Sequence, residues 1–325
     1  MPDPSELVHV ACALCGGQEA EPWLRACSPE CPDQEFTVVQ CARCGLRFVS
    51  PRPADEALAL YYPDDYYAYR PHEVRPRSHR LKLALWRRLG LLPVPERSGG
   101  EPLLARGARR LTRSALGVRA TWTLPASRAG ARFLDIGCGA GARLMLAADL
   151  GWRTFGVDRS GLAIAAARAQ GHAAVVADVA SLPLATGSMD YVSLSHVLEH
   201  THDPVKTLCE VGRVLRTGGV AQVLAPNVAS WSAGVFGEHW AALELPRHCY
   251  HFTAQTITAV AHAAGLEVLW LRTLANRWVL ETSMRAAGIG GGRARALRAA
   301  WRAHCRLGHG DDLNVWLGLP EGRAT

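Results

Sequence analysis

Lysine is almost missing from this chain of 325 residues. Lys82 and Lys206 are its only two, so all but two of the 36 basic residues are arginine. That skew fits a GC-rich genome better than a surface built to hold phosphate. The arginines are also spread along the chain, with a denser stretch from Arg70 to Arg119. A formal charge of +7 therefore permits an anionic partner without demanding one. Long apolar runs are lacking too. None approaches the roughly 18 residues that cross a bilayer, which excludes a membrane-spanning helix. The first residues, MPDPSELVHVACALC, hold acids and no apolar stretch, so no secretory leader is expected and the cytoplasm is the expected compartment. What is present is a 49% apolar composition, enough for a substantial core, and a length that suits one large domain with a smaller module.

Six of the ten cysteines fall between Cys12 and Cys44. Without an export signal, such clustering points to metal before disulfides. The cysteines pair as CALCG (Cys12, Cys15) and CARCG (Cys41, Cys44), two knuckles that each present two thiolates from one tight turn. Four thiolates leave no open position, so the expected ion is a structural Zn2+. FTVVQ before the second knuckle and LRFVS after it read as the strands of a hairpin. Cys27 and Cys31, in CSPEC, stay open between spare thiols, a partial second site, and substitutes for one knuckle. Five of seven tyrosines (Tyr61, Tyr62, Tyr66, Tyr67, Tyr69) follow between prolines. They read as packing between modules, or as an arm reaching over a neighbouring site. The expected partition is a zinc-ribbon module with this arm over 1–70, then a helical linker or lid over 71–125. The linker includes an arginine-rich amphipathic helix from Ser78 to Leu92, before the break at ERSGGEP.

Over 126–325 strands and helices alternate. ARFLDIG, TFGVD, AAVVAD, MDYVSLSH, GVAQVLAPN, LEVLWLRTL and DLNVWLG are strand-like. GLAIAAARAQ and PVKTLCEVGRVLR are helical, the latter stopped by TGG. This predicts an α/β fold, a seven-stranded, mostly parallel Rossmann-like sheet with ligand bound beyond the C-terminal strand ends. In GCGAG, Gly137, Gly139 and Gly141 let backbone pass close to a ligand at a helix N-terminus. Such a loop alone is weak evidence, because nicotinamide-binding folds use one. Here Asp135 stands two residues ahead of the first glycine, where a carboxylate disfavours pyrophosphate but suits a ligand carrying an ammonium and a sulfonium. Asp158 closes the second strand and can accept both ribose hydroxyls. Asp178 closes the third, where it can meet an adenine amino group. Three acids ending three successive strands are far more specific than the loop.

At these residues the chain resembles the class I S-adenosylmethionine-dependent methyltransferases: FLDIGCGAG matches their first motif, VD at Asp158 their ribose-binding acid, and AD at Asp178 their adenine-side acid. The resemblance covers Ala131 to Gly318. It implies S-adenosylmethionine as cofactor, with Cys138, Arg159, Val179, Ser195 and His196 also lining its pocket. Paired with two N-terminal knuckles, the domain looks like bacterial sugar and secondary-metabolite methyltransferases. It lacks the second large α/β domain of the nucleotide-sugar C-methyltransferases, which favours a different small acceptor.

Acceptor-side residues in this fold follow the fourth and fifth strands. The fifth-strand loop, GEHWAALELPRHCYHFT, contains His239, His248 and His251. His248 is the expected general base. It resembles the histidine of the sugar C-methyltransferases, although Arg247 stands where that family has glutamate, so Glu199 or Glu244 would have to orient the ring. The fourth-strand loop, SHVLEHTHDP, has three readings. H-x-x-E-H occurs in inverted zinc peptidases, but on a helix outside any nucleotide-binding context. In a second reading, His196, Glu199 and His200 share one face and, with His248 or His251, bind a divalent metal. This resembles in outline the metal-dependent RNA 2′-O-methyltransferases and some quinone-pathway O-methyltransferases, with His196 where those have glutamate. In the favoured third reading, Ser195 and His196 line the cofactor, Glu199 and His200 brace the loop, and Asp203-Pro204 cap the next helix. The expected function is methyl transfer to a small-molecule acceptor. Its rivals are RNA methylation using the zinc module, and a binding protein with a vestigial cofactor site.

Overall fold

The computed structural model describes residues 7–28, 31–62, 69, 124–125, 127 and 130–322. The expected helix at 78–92, the rest of the linker, and Tyr66 and Tyr67 lie outside these residues. Thirteen strands are present among the described residues: β1 Leu7–Val8, β2 Ala20–Ser28, β3 Cys31–Cys41, β4 Arg47–Val49, β5 Arg52–Pro53, β6 Arg132–Ile136, β7 Arg153–Asp158, β8 Ala174–Val176, β9 Met189–Ser195, β10 Leu215–Pro226, β11 Tyr250–His251, β12 Glu267–Leu274 and β13 Asp312–Gly318. The helices used below are α1 Ala142–Asp149, α2 Gly161–Ala169, α3 Pro204–Val214 and α4 Ala254–Ala263. Seven strands form one mostly parallel sheet in the order β12-β13-β10-β9-β6-β7-β8, as the alternating pattern predicts. β6, β7 and β8 pair in parallel, and β12 and β13 antiparallel. No helix among the described residues is long and apolar enough to cross a membrane.

Two compact units divide the chain. One comprises 67–193, 213–221 and 324–325. Its strand β6 is buried at Phe133, Leu134, Asp135 and Ile136, the unbroken burial of a parallel strand covered on both faces. Phe133 stacks on Tyr191 with ring centroids 5.7 Å apart, and Trp152 closes the cluster. α2 is capped by Ser160, whose hydroxyl accepts from the Ala163 amide at 3.2 Å. The third strand is shorter than expected. β8 ends at Val176, and exposed Asp178 stands beyond it in a turn, its Oδ1 accepting from the Ala180 amide.

The other unit comprises 1–66, 194–212 and 222–323. It holds a four-stranded sheet in the order β11-β4-β3-β2. The expected hairpin is there, with Val38 opposite Val49 and Gln40 opposite Arg47. Two partners are additional: β2, which pairs antiparallel with β3 and sets Cys27 opposite Glu35, and β11, which comes from the loop after the fifth strand. α3 starts as anticipated, with Asp203 Oδ1 accepting from the Lys206 amide at 2.9 Å ahead of Pro204. TGG does not stop it. The helix ends at Val214 and β10 begins at Leu215, so Thr217 and both glycines lie within the strand.

Candidate functional site

Three candidate neighbourhoods follow from the folded chain. In the first unit β6 delivers Asp135 to a fully enclosed position. Burial raises its carboxyl to about 7 against the pull of Arg143, whose Nε lies 3.8 Å from Oδ1. Asp135 Oδ1 has no hydrogen-bond partner. An enclosed carboxylate oxygen that accepts no hydrogen bond fits the ammonium of S-adenosylmethionine. The following loop turns through left-handed backbone at Gly137, Gly139 and Gly141, with φ of 67°, 51° and 93°. A Cβ on Gly141 would meet His172 Cδ2 at 2.8 Å, so the loop and α1 approach their neighbours as closely as only glycine allows. Cys138 is buried, and burial with the nearby Asp135 and Asp158 charges holds its thiol protonated.

Asp158, at the end of β7, accepts from the Gly139 amide through Oδ2 and from the Ser160 amide through Oδ1, each at 2.9 Å. It ties the glycine loop to the second strand and keeps lone pairs for a ribose diol. Tyr69 stands beside it. Burial and the Asp158 charge push its phenol up, and it hydrogen-bonds the Ser160 side chain. The arm of tyrosines thus contributes a residue to the Asp158 neighbourhood. Arg159 is exposed, and Val179 is half-buried past the end of β8.

In the second unit the fourth-strand and fifth-strand loops bring four histidines together. His196 takes left-handed backbone at φ 55°, rare for a side chain of this size and a marker of local strain. Its Nδ1 lies 3.2 Å from Glu199 Oε1. Burial opposes charge on this ring, but Glu199, Asp312 and Glu244 outweigh it and push His196 up to about 9. Ser195, the last residue of β9, is half-buried beside it. Leu198–His200 form one 3-10 turn rather than an α-helix. His200 Nδ1 contacts the Arg247 carbonyl at 3.1 Å and the Tyr62 hydroxyl at 2.9 Å. Burial and neighbouring His248 lower this ring to about 4.

His248 is buried, with Nδ1 2.9 Å from the Ala242 carbonyl and Nε2 3.8 Å from Glu244 Oε2. Burial, with the His196 and Arg247 charges, lowers it to about 3. The Nδ1 side of the ring is therefore oriented by a carbonyl. Glu199 pairs instead with His196, and Glu244 with Arg247 at 3.2 Å. His251 is buried 6.4 Å from His248, ring to ring, while His239 is exposed and outside the group. Sequence reasoning overlooked Asp312, which opens β13 and faces the His196 charge. The acidic pair Asp311-Asp312 ahead of an apolar strand was the available signal, whereas Tyr62 is one of the tyrosines expected to pack or to reach over a site.

The third neighbourhood is the knuckle pair. Cys12 Sγ lies 3.4 Å from Cys44 Sγ, Cys15 Sγ 3.5 Å from Cys41 Sγ, and all four sulfurs fall within 4.8 Å of one another. Tetrahedral Zn–S bonds of about 2.3 Å set the sulfurs about 3.8 Å apart, so the group fits that ion. Gly16 and Gly45 turn each knuckle at φ 68° and 73°. Burial raises the Cys41 thiol, but amides of Cys44 and Arg43 outweigh it and bring it to about 7. Cys27 is exposed and outside the cluster.

The chain is similar to several known proteins. It is 34% identical over 145 residues to a probable S-adenosylmethionine-dependent methyltransferase of Mycolicibacterium smegmatis, covering 43% of this chain and 53% of that one. It is 30% identical over 200 residues to a malonyl-[acyl-carrier protein] O-methyltransferase of Serratia marcescens, covering 56% and 77%. It is 32% identical over 135 residues to a ubiquinone biosynthesis O-methyltransferase of Xanthomonas oryzae, covering 38% and 56%. The chain thus spans about half the length of two of these relatives. The family described as a methyltransferase domain matches residues 108–271, half of the chain, and the chain belongs to that family.

Proposed function

We propose that this chain transfers methyl from S-adenosylmethionine to a small-molecule acceptor such as a sugar, nucleotide-sugar or secondary metabolite, with a histidine taking the acceptor's proton. The observation that carries the cofactor assignment is Asp135, enclosed with an oxygen that accepts no hydrogen bond, beside a glycine loop that Asp158 holds in place. Relatives named as O-methyltransferases support a hydroxyl acceptor. A structural zinc ion at Cys12, Cys15, Cys41 and Cys44 belongs to the same reading.

His248 is the first candidate for the proton acceptor. A carbonyl only accepts, so the Ala242 contact places hydrogen on Nδ1 and leaves the lone pair on Nε2. The other ring of the loop, His196, is raised to about 9 beside Glu199 and is protonated near neutral pH, so it can take a proton only in more alkaline solution. Titration calorimetry with S-adenosylmethionine, followed by mass-spectrometric assay of hydroxylated acceptors, tests the proposal. His248→Ala should lose about 10²–10⁴-fold in turnover with cofactor affinity unchanged. Near-normal turnover in that variant removes His248 as base, and no cofactor binding by the wild type removes the proposal.

A further inference from the structure

Beside the second knuckle, within the second unit, lies an open cleft of about 450 Å3. Its polar lining is Gln40, Arg43, Arg47, Thr253, Gln255 and Thr256. Among the described residues no acid lines it, and Glu19, Glu21 and Glu35 stand outside. Gln40 lies opposite Arg47 across β3 and β4, and Arg47 opposite His251 across β4 and β11, so the three side chains share one sheet face. The Arg47 guanidinium is fixed on two sides. Its Nε donates to Gln40 Oε1 at 2.9 Å, and its Cζ lies 4.2 Å from the centre of the Trp23 ring. Both terminal nitrogens are left over, a planar fork with four N–H groups. No carboxylate among the described residues pairs with Arg47 or with Arg43, whose Nη1 donates to the Cys15 carbonyl at 3.5 Å. Partial burial pulls the Arg47 guanidinium below its ordinary pKa, the mark of a cation drawn out of water with no anion beside it. The rest of the lining is the first turn of α4. Thr253 caps it, its Oγ1 accepting from the Thr256 amide at 3.1 Å. The other amides of a first turn have no acceptor inside the helix and carry the positive end of its dipole.

We propose that this cleft binds one phosphate group of a small phosphate ester, with the Arg47 fork taking two of its oxygens and Arg43 and the first turn of α4 sharing the remaining charge. A planar guanidinium already held by stacking and by Nε loses little freedom when it meets two oxygens at once, which is the strong, bidentate form of such a contact. A bare phosphate fills only part of the cleft. Sites of roughly 300–1,000 Å3 take whole small molecules, so an organic remainder has room. The phosphate is carried either by the acceptor or by a separate ester. The acceptor is favoured by His251, which shares the sheet face of Arg47 and lies 6.4 Å from His248, ring to ring. That choice, though not the cleft itself, rests on the methyltransferase reading above.

The test uses the full chain with zinc supplied to its knuckles. Amide resonances of Gly45, Gln255 and Thr256 are followed while orthophosphate is added, with chloride at equal ionic strength as the control. The shifts should saturate as a single site, in phosphate only. Arg47→Met should weaken phosphate at least about tenfold, and Arg47→Lys, which keeps the charge and loses the fork, should fall between. Gln255→Glu covers the case of a poorly folding Arg47 variant: an acid in the first turn favours the helix, yet here it should repel phosphate and lower its affinity. Shifts that never saturate, or that chloride reproduces, overturn the site. So does an Arg47→Met chain that loses zinc but binds phosphate as before, because the arginine then only balances thiolate charge. Competition of orthophosphate with the acceptor during methyl transfer gives the phosphate to the acceptor. Saturable binding without competition gives it to a separate ester, and either result keeps the cleft. A chain that binds phosphate but no cofactor keeps this inference and removes the methyltransferase reading.

Discussion

Asp135 has no hydrogen-bond partner for its Oδ1, and burial sets its carboxyl near 7. Below that pH it is mostly neutral, above it mostly ionised. In the proposed site the ammonium of S-adenosylmethionine pairs with the carboxylate, and binding at pH 6 would then release a proton, while binding at pH 8 need not. The affinity should therefore rise with pH, by up to about tenfold per unit below 7, and level off above it. Calorimetry in two buffers of different ionisation enthalpy measures the released proton directly. Asp135→Asn should flatten the profile and lower the affinity. A flat profile in the wild type would place the carboxylate away from the cationic end of the cofactor. The same residue shows how local chemistry stays readable in a sequence: one acid, two residues before a glycine loop, carries its meaning within a few positions. His196 and Asp312 do not, because only the fold brings the head of β13 to the end of β9.

At the scale of elements the contrast is sharpest in the knuckle sheet. Its β3–β4 hairpin was legible from apolar residues on either side of CARCG, and the strands of the large sheet from apolar runs between turn signals. The two-residue strand β11 was not. It has no periodicity to read, and it pairs with a strand far away in sequence, Tyr250 opposite Phe48 and His251 opposite Arg47. The Val49 amide also donates to the Cys249 carbonyl at 2.9 Å. The knuckle that turns β3 into β4 therefore sets the register of the segment directly after His248. Arg52 adds to this by donating to the His202 carbonyl, which Tyr250 also holds through its hydroxyl at 2.8 Å. If the knuckles hold the proposed zinc, removing it by chelation, or replacing Cys41 with serine, should release β4 and with it β11. Hydrogen exchange should then quicken at Val49, Tyr250 and His251, by a factor of ten or more if the pairing is worth about 1.4 kcal/mol, while Leu134 and Ile136 in β6 keep their protection. Unchanged exchange at Tyr250 and His251 in zinc-free protein would show that the loop holds its shape without the knuckles.

For the whole molecule, charge separates the small-acceptor reading from RNA methylation. A net +7 attracts any polyanion, and that attraction alone yields non-specific binding of roughly 10⁻⁴–10⁻⁶ M at physiological salt. Recognition of single-stranded RNA needs more: aromatic faces for bases to stack on, interleaved with cations along the strand's path. Among the described residues of the knuckle module, Arg47 lies over Trp23 at 4.2 Å and Arg52 over buried Tyr250 at 5.5 Å. Phe36, Phe48 and Tyr61 are buried in the module's core and unavailable for stacking. Around the cysteines, Glu19, Glu21 and Glu35 work against a phosphate track. Fluorescence anisotropy with single-stranded RNA should accordingly show affinity weaker than micromolar near 150 mM salt, falling further as salt rises, and unchanged by substituting Trp23. A micromolar or tighter complex that depends on Trp23 would make the knuckle module an RNA-binding element and RNA the acceptor. The weak, salt-sensitive, sequence-blind result instead leaves charge as a property of the surface and favours the proposed small-molecule acceptor over RNA.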